Sequence, residues 1–129
     1  MRRCCLKVLF FEEEIEGICT DFRKAKKYFG GSDILAKSLL GRINYMQNAD
    51  YLSDVIKMPQ FRFHKLINKG KGKNLEGLFA VDVKTKIDKW RIIIEPLDDD
   101  ELPYVNVRID ELAKKIRIIE VKEVSNHYE

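Results

Sequence analysis

Apolar and polar positions follow two different periods along the chain. Residues 5–12 form a short apolar run that ends in acidic side chains, which is typical of a β-strand. Residues 19–29 then place apolar side chains near helical spacing with basic residues between them. Gly30 and Gly31 follow, and glycine tolerates the left-handed backbone that ends many helices. The pattern predicts an amphipathic helix over 19–29.

A second helix is predicted directly after the two glycines. Ser32 or Asp33 can serve as its N-cap residue. The apolar stripe that follows is typical of one buried helix face, and it consists of Leu35, Leu39, Ile43 and Met46. Two helices joined by such a short corner form an αα-hairpin.

The second half of the chain has the composition of strands. β-Branched and aromatic residues predict strands over 77–84 and 89–95. A mixed strand is expected before them, over 61–67, and a final strand over 116–122. Residues 85–88 are short enough for a hairpin. Between 96 and 115, residues 96–103 predict an acidic loop, and a helical turn is expected over 110–115. The order β-α-α-β-β-β-β predicts an α+β fold, in which an N-terminal strand and an αα-hairpin pack on a twisted antiparallel sheet.

Composition narrows the classes of protein. The chain has 129 residues, of which 45% are apolar and 35% charged, and no linker divides it, so we expect one domain over 1–129. No run of about 18 apolar residues predicts a membrane span, and the apolar start lacks a signal-peptide cleavage site. Three cysteines without CxxC spacing argue against a disulfide framework or a zinc site. We therefore expect a cytoplasmic protein with reduced thiols.

The net charge of +3 conceals a strongly basic segment. Between residues 57 and 91 there are ten basic and three acidic side chains, a net of +7. Its centre, residues 68–74, alternates lysine with glycine. Mobile cations on a loop can neutralise a phosphate backbone, but the same loop can also be a solvated turn, and charge alone leaves both readings open. No phosphate-binding glycine motif for a nucleotide is present.

Four stretches in order resemble one known family. They are His64-Lys-Leu-Ile-Asn-Lys-Gly-Lys-Gly, Glu76-Gly-Leu-Phe-Ala-Val, Lys89-Trp-Arg-Ile and the closing Glu123-Val-Ser-Asn-His-Tyr-Glu. Together with the helix pair, from about residue 33 to the end, they resemble the HigB-type toxins of the RelE/ParE toxin–antitoxin superfamily. The departures from the family pattern are a longer 68–74 loop, a long 96–115 insertion, and His127 standing before Tyr128 rather than after it.

The resemblance implies a RelE-like fold and an endoribonuclease (mRNA interferase) of a type II toxin–antitoxin module. The HigB and RelE branches cleave mRNA, commonly on the ribosome, without a metal or cofactor, and so inhibit translation. The implied partners are a HigA-like helix-turn-helix antitoxin, mRNA and the ribosome, with operator DNA reached through the antitoxin and no membrane. Two alternatives stay open: a non-enzymatic ParE-like gyrase inhibitor, and a plain RNA- or DNA-binding module.

The resemblance also implies the site residues. The catalytic set comprises Arg91, His127, His64 and Lys69, with Lys71 as the rival for the lysine position. RNA-binding side chains are expected at Lys65, Lys73, Lys84, Lys86, Lys89 and Tyr128.

These residue types suit the implied reaction. Histidine suits acid–base work on the 2′-hydroxyl and the leaving oxygen, and arginine suits the phosphorane, since its planar fork can hold two oxygens. Tyr128 is a phenol that could stack on a base or donate a proton. By residue type alone, however, Arg91 is more typical of a surface or salt-bridging arginine, His64 of a strand-surface residue and Trp90 of core.

Overall fold

The computed structural model describes residues 5–66, 77–104 and 108–126, in which a mixed five-stranded sheet carries helices on one face. The strands are β1 (Lys7–Phe10), β2 (His64–Lys65), β3 (Phe79–Asp82), β4 (Arg91–Leu97) and β5 (Ile118–Ser125), in the spatial order β1-β5-β4-β3-β2. The helices are α1 (Glu13–Thr20), α2 (Phe22–Tyr28), α3 (Asp33–Asn48), α4 (Leu52–Ile56) and α5 (Ile109–Leu112), with a 3-10 turn at Pro59–Phe61. The predicted α+β class is confirmed.

The sheet is mixed rather than antiparallel, which corrects the prediction at one pairing. β1 runs parallel to β5, with Lys7 opposite Ile118 and Phe10 opposite Val121, whereas the other three pairings are antiparallel. A parallel pair needs a long crossover, and here the helices α1–α5 and the strands β2–β4 lie between the two strands in sequence. The direction of β1 is also tied to the helices, because the Leu6 amide donates to the Ala49 carbonyl just after α3.

The helical region begins at Glu13, before the predicted start at residue 19, and it contains a break that the sequence pattern does not show. The predicted helix over 19–29 is two helices that meet at Asp21, whose backbone is extended. The Asp21 carboxylate accepts from the amides of Arg23 and Lys24 and so caps α2. The glycine stop is confirmed, since Gly30 and Gly31 have φ of 71° and 99°.

Helix α3 follows the prediction closely. Ser32 caps it by accepting from the Leu35 amide at 3.1 Å. The buried face consists of Ala36, Leu39, Ile43 and Met46, so three of the four stripe residues are confirmed and Ala36 replaces the half-buried Leu35. This face packs on the sheet side that carries Val81, Ile92, Ile94, Val121 and Val124. The core therefore lies between the helices and one face of the sheet.

The strands are shifted from their predicted bounds. β2 has two residues instead of the predicted seven-residue strand over 61–67, and β4 continues to Leu97 through Pro96. Proline is tolerated there because β3 pairs with β4 only from Arg91 to Ile94, so Pro96 lies beyond that ladder. Trp90 is half-buried and meets the Tyr28 and Phe29 rings edge-on, at 5.7 and 4.9 Å between centroids.

The cysteines differ from one another. Cys19 is a free thiol buried in the core, and burial raises its pKa to about 12. Cys5 is disulfide-bonded, so the expectation of reduced thiols is wrong at that position, and Cys19 is not its partner. Among the described residues, no helix is long and apolar enough to span a membrane.

The Ser32 cap yields a stability test. We expect Ser32→Ala to lower the free energy of unfolding by about 1 kcal/mol, because the Leu35 amide loses its acceptor. Ser32→Asp keeps a capping oxygen and should stay close to the parent protein. Urea denaturation followed by circular dichroism measures both, and an equal loss in the two variants would contradict the capping role.

Candidate functional site

The face of the sheet turned away from the helices carries two of the residues that the sequence singled out. Across the strands, His64 pairs with Ala80, and Ala80 with Ile93. In the next row, Asp82 pairs with Arg91. Paired residues project to the same face, and alternate residues along a strand share it. We call this the outer face; His64 and Arg91 lie on it with roughly 12 Å between their Cα atoms, from strand spacing and rise.

The buried carboxylate of Asp82 lies at the end of the outer face that carries Arg91. Asp82 Oδ2 lies 2.9 Å from Arg62 Nε, and Asp82 Oδ1 lies 3.3 Å from Arg91 Nε. The side chains of Asp82 and Arg91 are 3% and 1% exposed, whereas that of Arg62 is 33% exposed. We call these three residues the Asp82 cluster. A buried charge needs such partners, because water cannot solvate it there.

The guanidinium of Arg91 is also bonded to backbone. Nη1 donates to the carbonyls of Trp90 at 2.9 Å and Thr85 at 3.4 Å, and Nη2 donates to the carbonyl of Lys86 at 3.1 Å. Of the two readings that residue type alone suggests for Arg91, the structure shows the salt-bridging one and not the surface one. A phosphate could reach the guanidinium only by replacing some of these bonds, so contact with a phosphorane remains a prediction.

Residues 84–89, which we call the lysine hairpin, connect β3 to β4 beside the Asp82 cluster. The three predicted RNA-binding lysines in it, Lys84, Lys86 and Lys89, are all exposed. Arg42 on α3 supports its first residue by donating to the Lys84 carbonyl at 3.1 Å, and it donates to the Asp82 carbonyl at 3.0 Å. Burial lowers the pKa of Arg42, while Asp82 and Asp88 oppose this shift.

His64 is half-buried, and its ring is oriented by the backbone. Its Nδ1 lies 2.7 Å from the carbonyl oxygen of Arg62. Since a carbonyl can only accept, Nδ1 carries a proton, and in the neutral ring Nε2 then carries the lone pair. Lys65, the next residue, is exposed. The contact with the Arg62 carbonyl therefore fixes the orientation of the ring, with Nε2 buried.

The remaining predicted residues lie outside the described part of the chain. These are Lys69, Lys71, Lys73, His127 and Tyr128. Ser125, the last residue of β5, pairs with Arg91, and His127 follows it by two positions in sequence. Among the described residues, no group of three or more histidines, cysteines and carboxylates is placed to hold a metal ion.

Sequence reasoning missed the carboxylate and two arginines that organise this end of the face. Asp82 interrupts the apolar run Phe79-Ala-Val-Asp-Val83, and a charge at such a position was the available signal. Nothing in the local pattern points to Arg42 or Arg62, because their partners are 40 and 20 residues away.

The Asp82 cluster predicts a large stability effect. Asp82→Asn removes the charge that compensates Arg91 in the interior, and we expect it to lower the free energy of unfolding by about 3–5 kcal/mol. Asp99→Asn is the matched control, because its pair with Arg117 is mostly exposed and contributes about 0–1 kcal/mol. Chemical denaturation compares the two variants, and a loss at Asp82 no larger than at Asp99 would refute the role of the cluster.

Comparison with known proteins adds no family to this picture. No protein-family model matches the chain, and no curated protein or solved structure matches it significantly. The resemblance to the HigB-type toxins therefore rests on the four sequence stretches and stays a prediction.

Proposed function

We propose that this chain is the toxin of a type II toxin–antitoxin module and acts as a metal-independent mRNA endonuclease of the HigB kind. The observation that carries the proposal is the position of His64 and Arg91, which are distant in sequence but share the outer face. Exposed lysines adjoin both residues, at Lys65 beside His64 and at the lysine hairpin beside Arg91.

The reaction needs a base, an acid and positive charge. The base takes the proton of an RNA 2′-hydroxyl, whose oxygen attacks the adjacent phosphorus. The bond from phosphorus to the 5′-oxygen then breaks, and an acid protonates that oxygen, leaving a cyclic phosphate. In its neutral form, His64 would carry the lone pair of the base on Nε2, because Nδ1 is already bonded to the Arg62 carbonyl, and the buried Nε2 must become accessible when RNA binds. His127 is the proposed second acid–base group, assisted by Lys69 or Lys71.

Arg91 is proposed to supply positive charge at the phosphate. Removing one such stabilising donor typically lowers a rate by about 10²–10³-fold. For this role its bonds to the Thr85 and Lys86 carbonyls must be exchanged for bonds to phosphate oxygens when RNA binds. Arg62 belongs to the same cluster and is the more exposed of its two arginines.

One observation favours a second candidate, a plain RNA-binding module without chemistry. Arg91 is buried, and its guanidinium is already ion-paired with Asp82 and hydrogen-bonded to backbone carbonyls. A binding module would need the exposed lysines but no acid–base group. The two candidates differ in whether RNA is cut, so cleavage decides between them.

The proposed partners follow from the module class. A helix-turn-helix antitoxin would cover the lysine hairpin or block access of the toxin to the ribosome, and it would connect the pair to operator DNA. We expect the purified complex to cleave less mRNA than the toxin alone.

His64 gives the direct test of the endonuclease. Primer extension on a translated mRNA should show cuts with the parent protein, with ribosome-free reactions run in parallel. We expect His64→Ala to reduce the cleavage rate by about 10²–10⁴-fold, because an acid–base group is lost. Lys37→Ala, an exposed change on α3, is the control that should leave cleavage unchanged.

Arg91→Ala is assayed beside it, with Arg91→Lys as the variant that keeps a positive charge beside Asp82. Unchanged cleavage in folded His64→Ala and Arg91→Ala would refute the site. Binding of RNA without any cutting would favour the plain binding module, and gyrase-dependent DNA breaks would favour the ParE-like alternative.

A further inference from the structure

The lysine hairpin projects an apolar side chain at its tip. Ile87 is 88% exposed, more than any other large hydrophobic side chain in the described part of the chain. A single exposed hydrophobic residue is ordinary on a protein surface. What distinguishes Ile87 is its setting, since Lys84, Lys86 and Lys89 surround it in sequence and are all exposed.

The hairpin is held in one shape by bonds to its backbone. The Asp88 carboxylate accepts from the Thr85 amide at 3.0 Å and the Trp90 amide at 2.9 Å. Arg91 donates to the Thr85 and Lys86 carbonyls from below. A segment that is already ordered loses little conformational entropy when it binds a partner. The tip is therefore preorganised, although it is on the surface.

The positive charges of the lysine hairpin are exposed, whereas its negative charge is not. Its one acid, Asp88, is half-buried and is occupied by the Thr85 and Trp90 groups that it caps. None of the three lysines has an ion pair within the described ranges 5–66, 77–104 and 108–126. The hairpin thus offers three available ammonium groups around an apolar tip, a combination that suits an anionic partner with a shallow apolar surface.

We infer that the lysine hairpin binds the minor groove of an RNA double helix. Ile87 would lie against riboses and base edges, while Lys84, Lys86 and Lys89 reach the phosphates on either side. The minor groove of A-form RNA is wide and shallow, so it admits the tip of a two-stranded hairpin, whereas that of B-DNA is only about 6 Å wide. This inference deepens the proposed function by naming a second RNA contact. It rests on the proposed function because it takes RNA to be the partner of this chain.

Other anionic partners fit the tip less well. Proteins that hold single-stranded RNA stack its bases on aromatic side chains, and residues 84–89 contain none. Membrane-surface segments present several large apolar side chains, whereas this tip presents one. The contact to double-helical RNA is also separate from His64, which lies on the far side of the Asp82 row from the hairpin. It would position the protein on structured RNA rather than cut it.

Binding to a 16-base-pair RNA duplex, followed by fluorescence anisotropy, tests the inference. The measurement uses the His64→Ala background, so that cleavage does not consume the probe. We expect Ile87→Ala to weaken binding by about tenfold without changing its salt dependence, because an apolar contact is lost. Changing the three lysines to glutamine should weaken binding and lower the slope of log Kd against log salt by about one per lysine. Leu102→Ala, another exposed apolar change at the opposite end of β4, should have no effect.

The same titration is made with a DNA duplex, a single-stranded RNA and anionic phosphatidylserine vesicles. The inference would be overturned by equal binding of DNA or single-stranded RNA, or by an Ile87 effect seen only with vesicles. It would also be overturned if Ile87→Ala left binding to the RNA duplex unchanged. Its failure is distinguishable from failure of the endonuclease. A protein that cuts mRNA but ignores the duplex contradicts only the inference, and one that binds the duplex through Ile87 but never cuts contradicts only the endonuclease.

Discussion

The buried ion pair between Asp82 and Arg91 is the interaction on which the outer face depends. A carboxylate with 3% exposure is stable only beside positive charge, and the partners come from separate parts of the chain. Arg91 is on the neighbouring strand, Arg62 precedes β2, and Arg42 reaches the Asp82 carbonyl from α3. Asp82 therefore ties two central strands and the segment before β2 together through its carboxylate, and it contacts the helical layer through its backbone carbonyl.

This arrangement connects the candidate catalytic histidine to the lysine hairpin. His64 is oriented by the carbonyl of Arg62, Arg62 pairs with Asp82, and Asp82 pairs with Arg91, whose other donors hold the hairpin. A change in any member alters the setting of the others through direct contacts. The proposed arginine of the reaction is thus also a structural residue, and a loss of activity on its substitution needs a measurement of folding beside it.

Local physics explains which elements the sequence predicts well. The α3 stripe and the Ser32 cap depend on neighbours within one or two turns, and both are where the pattern places them. The break at Asp21 was missed because residues 19–29 keep a helical period across it, and only the carboxylate cap on the next two amides shows a second helix beginning. Helix α4 was missed because five residues are too few to show a period.

By itself the sequence determined the α+β class, the αα-hairpin, the strand-forming segments and the concentration of basic charge between residues 57 and 91, since each depends on composition or near neighbours. The parallel pairing of β1 with β5 was decided only in three dimensions, because the two strands are separated by more than 100 residues. The environment of Arg91 was also decided only in three dimensions. The sequence supplies the arginine, but its burial beside Asp82 and its bonds to the hairpin backbone exist only once the strands have paired. The same pairing places His64 on the face that Arg91 shares, which no local pattern encodes.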